Sequence, residues 1–347
     1  MSESEHLTLA GDVTSALTHF AAFGLMIVIQ EECEHARALF WFTEEPSPRA
    51  VLHLDGCNRM EVAEAVGRVA RRWAADNSWV QETVSYPSGN GNAEERSPFS
   101  PRIKAFTDPQ TWQKHSAFRH GHIDALAGDG VARRLIAGLG EAAYWRAESN
   151  SARPDEGASR WEMKTRNKGQ EFIVHRLAPL VSEVASWSVD DILDGIEGKC
   201  LRDAIGKMAP DSRTSTGLTT PQPVDNALAL IALLGMGMMP PVVRLRGIAV
   251  TPGAYPNTVT HPQWMVLPVP VCPVTAERFH GVVLSSQFDQ VTRSILGFEE
   301  EKSGLDTAGR AWMISRNLPA VAVFPILKTG SSSAPERQVL NGNLVVL

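Results

Sequence analysis

The chain is poor in the features that most readily betray a function. Its 347 residues include only four cysteines, Cys33, Cys57, Cys200 and Cys272, and no two form a CxxC pair. That spacing argues against a disulfide framework; it reads as free thiols in a reducing compartment. No apolar run reaches the ~20 residues a membrane helix needs. The longest, within 227–243, is broken by Gly235, Gly237, Pro240 and Pro241. The opening residues, Met-Ser-Glu-Ser-Glu-His, are acidic and polar, unlike a secretory leader, so a cytoplasmic location is expected.

Catalytic signatures are missing as well. There is no G-x-S-x-G elbow, no phosphate loop ending in lysine, and no G-x-G-x-x-G between a strand and a helix. The GNGN at 89–92 sits in a polar loop with no lysine to follow it. The run HSAFRHGHID carries His115, His120, His122 and Asp124. Separations of five and two scatter these side chains around a helix, whereas i,i+4 would align them for a metal. A metal-dependent hydrolase or nuclease with a diffuse site built on His115, His120 and Asp124 is the alternative reading, and it requires those groups to converge on a cavity. Otherwise no catalytic residue, metal or cofactor is expected.

What remains is a globular composition, 43% hydrophobic and 21% charged, in a chain long enough for two or three domains. Periodicity gives a helix over 11–30, capped by Asp12 or Thr14, with Leu17, Phe20, Phe23 and Ile27 at three-to-four spacing. A hairpin over 37–43 and 49–55, a helix over 60–75 and a strand over 78–86 follow. Residues 12–86 are expected to form one layer burying Phe20, Phe23, Ile27, Leu39, Trp41, Val51, Leu52, Val66 and Trp73. Helices are expected at 109–126, 131–139 and within 177–207. An apolar helix at 225–239 leads to strands at 242–250 and 264–271, a helix at 275–287 and a strand at 320–327. The helices at 11–30 and 225–239 echo each other, each with a late glycine, for which a close helix contact is a simpler account than duplication. The fold class is therefore α/β in the α+β sense: a small antiparallel sheet with covering helices at the N-terminus, a mainly helical middle, and a second α/β layer at the C-terminus. Domain divisions are expected at 1–95, 96–208, a polar linker at 209–223, and 224–347.

The net charge of −6 is unevenly spread. Residues 1–95 hold 6 Lys and Arg against 15 Asp and Glu, whereas residues 96–176 hold 14 against 9. Within the basic block, SRWEMKTRNKGQEFIVHR (159–176) brings Arg160, Lys164, Arg166, Lys168 and Arg176 together with Trp161 and Phe172. Cations can neutralise phosphates and aromatic rings can stack on unpaired bases, so these five, with Arg102 and Lys104 of SPFSPRIK, are the candidate nucleic-acid contacts. A protein-only scaffold, using the apolar helix near 227–239 as an interface, is a third reading.

The pattern LAGDVTSALTHFAAFGLMIVI followed by WFTEEPSPRAVLHLDG resembles the opening of a CRISPR-associated family from type I systems, the I-G (formerly I-U) group. The similarity extends through SPFSPRIK, AYWRAESNSARPDEGASRWEMKTRNKG, PVDNALALIALLGM and SSSAPERQ. It implies a role like that of the large subunit of the Cascade surveillance complex, with guide RNA, target DNA and other CRISPR subunits as partners. Such a subunit has no chemistry of its own, because a separate helicase-nuclease cuts the DNA.

Overall fold

The computed structural model describes residues 5–87, 93–101, 108–148, 151–163, 172–212, 216–298, 303–331 and 334–347. Mixed α and β content is the outcome expected from the sequence, with the strands gathered in small antiparallel sheets. No described helix is long and apolar enough to cross a membrane.

The first layer is a three-stranded sheet of β1 (Glu5–Thr8), β2 (Arg37–Phe42) and β3 (Ala50–Asp55), in the order β1-β3-β2. Helix α1 (Ala16–Glu32) starts at Ser15, whose hydroxyl accepts the Thr18 N–H. Asp12 is not the cap; its carboxylate instead takes the backbone N–H and hydroxyl of Thr14. Every residue from Ala16 to Ile29 is buried, so the three-to-four spacing picked out one stripe of a helix with no wet face. Helix α2 (Arg59–Ala74) has a true amphipathic pattern and an Asn58/Glu61 capping box, and it buries Val62, Val66, Val69 and Trp73.

The register of β2 corrects one expectation. Phe40 and Phe42 face the core, and Leu39 and Trp41 are half-exposed. RALFWF is apolar on both faces, so alternation left the choice open; the rings of Phe23 and Phe279 pack on Phe40 and settle it. The strand expected over 78–86 is reduced to β4 (Val84–Pro87), which pairs with β5 (Ala93–Arg96).

The middle of the chain contributes α3 (Pro109–Ala125), α4 (Gly130–Leu139), the short pair β6 (Ala147–Glu148) and β7 (Ser151–Ala152), then α5 (Ala178–Ala185) and α6 (Val189–Glu197). Asp129 caps α4 by accepting the Ala132 N–H, and its other oxygen takes the buried Trp73 indole N–H at 2.8 Å. Helix α7 (Asn226–Leu234) is again wholly buried and continues into a 3-10 turn over Gly235–Met238. It lies directly on α1. Part of the expected linker is also packed: Leu218 is buried, and Val339 N–H donates to the Gly217 carbonyl.

The second sheet contains β8 (Ala254–Tyr255), β9 (Trp264–Val269), β10 (Ala320–Ser331), β11 (Ala334–Val339) and β12 (Asn343–Val346). The first half of β10 lies between β9 and β12, and its second half pairs with β11. The helix expected at 275–287 divides at Ser285 into α8 (Ala276–Val283) and α9 (Ser286–Ile295), because the Ser285 hydroxyl accepts the Phe288 N–H and opens a new helix. Helix α10 (Ser303–Ile314) packs on α9. Phe40 and Val274 exchange both backbone hydrogen bonds, at 2.9 and 3.0 Å, and so tie β2 to the segment that follows β9. One hydrophobic core runs without a break from Leu7 to Val339 through segments placed in all three expected domains.

Candidate nucleic-acid interface

Of the seven basic residues singled out from the sequence, Arg102, Lys104, Lys164, Arg166 and Lys168 lie outside the described residues. Arg160 and Arg176 are described, and both are buried. Arg160 is 3% exposed, and its guanidinium donates to the carbonyls of Ala158, Asp155 and Thr260 at 3.1, 2.7 and 3.2 Å. Arg337, absent from the sequence-based set, reaches the same segment from β11, donating to the carbonyls of Arg160 and Glu162 at 3.0 and 2.8 Å. Burial lowers the Arg176 pKa to about 10, against the pull of Glu162 and Glu336. Arg160 and Arg337 serve the fold: between them they donate to the carbonyls of Asp155, Ala158, Arg160 and Glu162 along this irregular stretch.

The aromatics interleaved with them are also internal. Trp161 sits edge-on to Phe20 with ring centres 6.3 Å apart, and Phe172 is buried. Neither ring is placed to stack on a base. Met163 and Phe172, the described residues on either side of 164–171, are both buried.

The histidines of HSAFRHGHID diverge. His115 is buried edge-on to Trp112, and burial lowers its pKa to about 4, with Arg119 and His120 adding repulsion. His120 and Asp124 are exposed, while His122 Nε2 lies 3.3 Å from Glu82. Among the described residues no three His, Cys, Asp or Glu side chains gather closely enough to hold a metal. Arg119, on the same helix, is taken up by the carbonyls of Pro98 and Gly140.

A basic, aromatic surface does exist, assembled from parts of the chain far apart in sequence. The segment expected as a strand over 242–250 folds back on itself, with Val242 and Val250 exchanging backbone hydrogen bonds of 2.8 and 3.0 Å. Gly247, at φ +81°, permits the reversal. The projecting turn exposes Arg244, Leu245 and Arg246, with Leu245 79% exposed. Its base is held by Trp145, whose indole N–H donates to the Arg244 carbonyl at 3.5 Å. Tyr144, 38% exposed, stacks on Trp112 at 5.4 Å and meets Trp145 edge-on at 5.2 Å. Ala249 N–H donates to the Glu156 carbonyl, and the Glu156 carboxylate pairs with Arg146 at 2.9 Å, so turn and aromatic ladder are fixed to one another.

Beneath the turn is a cavity of about 270 Å³ lined by Arg244, Thr251, Tyr255, Asn257 and Asp289 among others. The Tyr255 hydroxyl and the Asn257 amide both donate to one oxygen of Asp289, at 3.1 and 3.3 Å. Burial raises the Tyr255 pKa well above the usual phenol range, and the Asp289 charge adds to the effect, so the phenol stays a donor. This surface offers two exposed guanidinium side chains, the exposed ring of Tyr144 and a polar recess.

No family model, curated protein or solved structure matches the chain.

Proposed function

We propose that the chain is a non-enzymatic, nucleic-acid-contacting subunit of a cytoplasmic type I CRISPR surveillance complex, acting with guide RNA, target DNA and the other subunits in antiviral defence. The observation that carries the nucleic-acid part is the Arg244–Leu245–Arg246 turn standing on the Tyr144–Trp145 pair. Guanidinium groups with no carboxylate partner among the described residues suit phosphates, and rigid rings beside them suit bases. The CRISPR part rests on the sequence resemblance. The basic stretch with Lys164, Arg166 and Lys168 belongs to the same proposal as a second phosphate-facing region.

Co-expression with neighbouring complex genes tests the assignment: the chain should co-purify with a guide-RNA-containing particle. The particle is then titrated with target DNA over a range of salt concentrations. Arg244→Ala with Arg246→Ala should weaken binding to different sequences alike and lower the salt slope by roughly one to two. A triple Lys164→Ala, Arg166→Ala, Lys168→Ala variant should lower it further. Unchanged affinity and slope in both variants, in an intact particle, would remove the nucleic-acid role. Failure to enter any RNA-containing particle would remove the CRISPR assignment.

A further inference from the structure

The recess beneath the Arg244 turn carries a carboxylate only half used by the chain around it. Asp289 lies one turn into α9, its N–H donating to the Ser285 carbonyl at 3.2 Å. Its Oδ1 accepts from both the Tyr255 hydroxyl and the Asn257 amide. Its Oδ2 accepts no hydrogen bond among the described residues, and the side chain is half-buried rather than sealed in the interior. The wall around it is fixed. Tyr255 is buried in β8, and Thr251 is buried with its hydroxyl accepting the Arg160 N–H at 2.9 Å. Gly253, at φ +74°, packs so closely on β9 that a Cβ there would stand 2.5 Å from the Val266 carbonyl oxygen. Val242, Val250, Pro252 and Val283 supply apolar lining, and Arg244 joins it from the exposed turn.

We propose that this recess holds one unpaired guanine of a nucleic-acid strand, with Asp289 accepting from the base and Arg244 meeting its phosphate; the choice of a nucleic-acid ligand rests on the reading above. The cavity, about 270 Å³, is at the small end of ligand sites and suits a single base. An ionised carboxylate only accepts hydrogen bonds, so its partner must bring donors. Guanine is the standard base with two adjacent donors, N1–H and the amino group, on its pairing edge. Adenine and cytosine set a ring acceptor beside their amino group, which a carboxylate repels. Uracil and thymine offer one N–H between two carbonyl oxygens. A guanidinium or amine ligand would also satisfy Asp289, but Arg244 at the same recess opposes a second cation and favours an anion. A guanine nucleotide presents both parts, a neutral donor edge and a phosphate.

The surroundings extend the site from a nucleotide to a strand. Trp145 donates to the Arg244 carbonyl and meets Tyr144 edge-on, so rings for neighbouring bases stand at the foot of the turn that carries Arg244. A base turned out of its stack is read through its pairing edge, at least cost when the strand is already single. Tyr255 and Asn257 are positioning residues here: by engaging Oδ1 together they fix the carboxylate and leave Oδ2 for the ligand.

Ligand-observed NMR titration of the full chain with GMP, IMP, AMP, CMP and UMP reads the base preference without the complex. GMP should bind at least ~10-fold more tightly than AMP, CMP or UMP. IMP, which keeps N1–H but lacks the amino group, should fall between. A short single strand with one central guanine should bind at least ~10-fold more tightly than GMP, and more tightly than the same strand with adenine at that place. Asp289→Asn should abolish the preference for guanine, and Tyr255→Phe should reduce it. Equal binding of GMP and AMP, or no binding of GMP at millimolar concentration, would overturn the base site, and that arm needs no variant to fold. GMP binding as tightly as the strand would overturn the strand as ligand. A guanine preference beside an unchanged salt slope in the Arg244→Ala, Arg246→Ala particle would leave the base site standing and remove only the wider interface.

Discussion

Gly24 and Gly235 are each pressed against the backbone of the other's helical segment. A Cβ on Gly24 would lie 1.9 Å from the Ile231 carbonyl oxygen, and one on Gly235 would lie 2.0 Å from that of Phe20. The resemblance between the two apolar helices in the sequence therefore marks a mutual contact, in which each supplies a glycine for the other's main chain.

That contact sets the first prediction. Gly24→Ala and Gly235→Ala should each destabilise the protein by about 1–3 kcal/mol, since backbone atoms on both sides must move to admit a methyl group. Gly121→Ala is the control: it is in a helix with open space around it, where alanine should stabilise by up to ~1 kcal/mol. Denaturant titration of the three variants reads the difference, and equal effects at Gly24 and Gly121 would contradict the packing.

His19 provides a pH dependence. It is fully buried, with Nε2 donating to the Val13 carbonyl at 2.9 Å, and burial lowers its pKa to about 4 despite that bond and the charge of Asp12. In the unfolded chain the ring titrates near 6.5. Above pH 6.5 both states hold it neutral and its stabilising contribution is complete. Below that the unfolded state takes up the proton first, so stability falls between about pH 6.5 and 4, by roughly 3 kcal/mol at the acid end. Thermal melts of His19→Gln, which keeps a donor without titrating, should show a shallower loss over this window. An unchanged slope would place the dependence elsewhere, with His115 the next group to examine.

Asp129 should be far more sensitive than an ordinary helix cap. Asp129→Ala removes the cap of α4, worth about 1 kcal/mol, and also orphans the Trp73 indole N–H, worth another ~1–3 kcal/mol. Arg72, which donates to the same carboxylate at 3.0 Å, keeps Glu32 as a partner. Asp129→Asn should recover the cap more than the indole contact. A loss confined to the cap value would show that the indole bond contributes little.

Arg160 and Arg337 should behave as structural residues. Arg337→Met leaves the carbonyls of Arg160 and Glu162 short of donors and should cost about 2–4 kcal/mol in unfolding. Arg244→Ala, on an exposed turn, should change stability by no more than ~0.5 kcal/mol. Chemical denaturation separates the two classes before any binding measurement is interpreted.

The contrast shows where the sequence was legible. Helix α2 and strand β3 were readable because their apolar positions follow one period and their caps are local. Arg160 and Arg176 looked like surface because charge in a run normally means solvent; the carbonyls of Asp155 and Thr260 that hold Arg160 become visible only once the chain is folded. The Trp145–Arg244 contact joins residues 99 apart, in segments whose own patterns suggest nothing more than a loop and a strand. Local periodicity could not have found it. Ser285 illustrates the opposite case: the S-x-x-F start that divides α8 from α9 is a local signal present in the sequence, masked by the apolar positions that continue across it.

The placement of α1 against α7 also bears on how the chain is made. The helix leaves the ribosome with Leu17, Phe20, Phe23, Leu25, Ile27 and Ile29 distributed around its whole circumference. Its partner follows roughly 200 residues later, or about 10–40 s at translation rates of about 5–20 residues per second. Through that interval the three-stranded sheet and α2 can shield only part of it. Nascent chains of this protein should therefore engage holdase chaperones until α7 emerges, and yield in the cell will depend on that protection as much as on the stability of the finished fold.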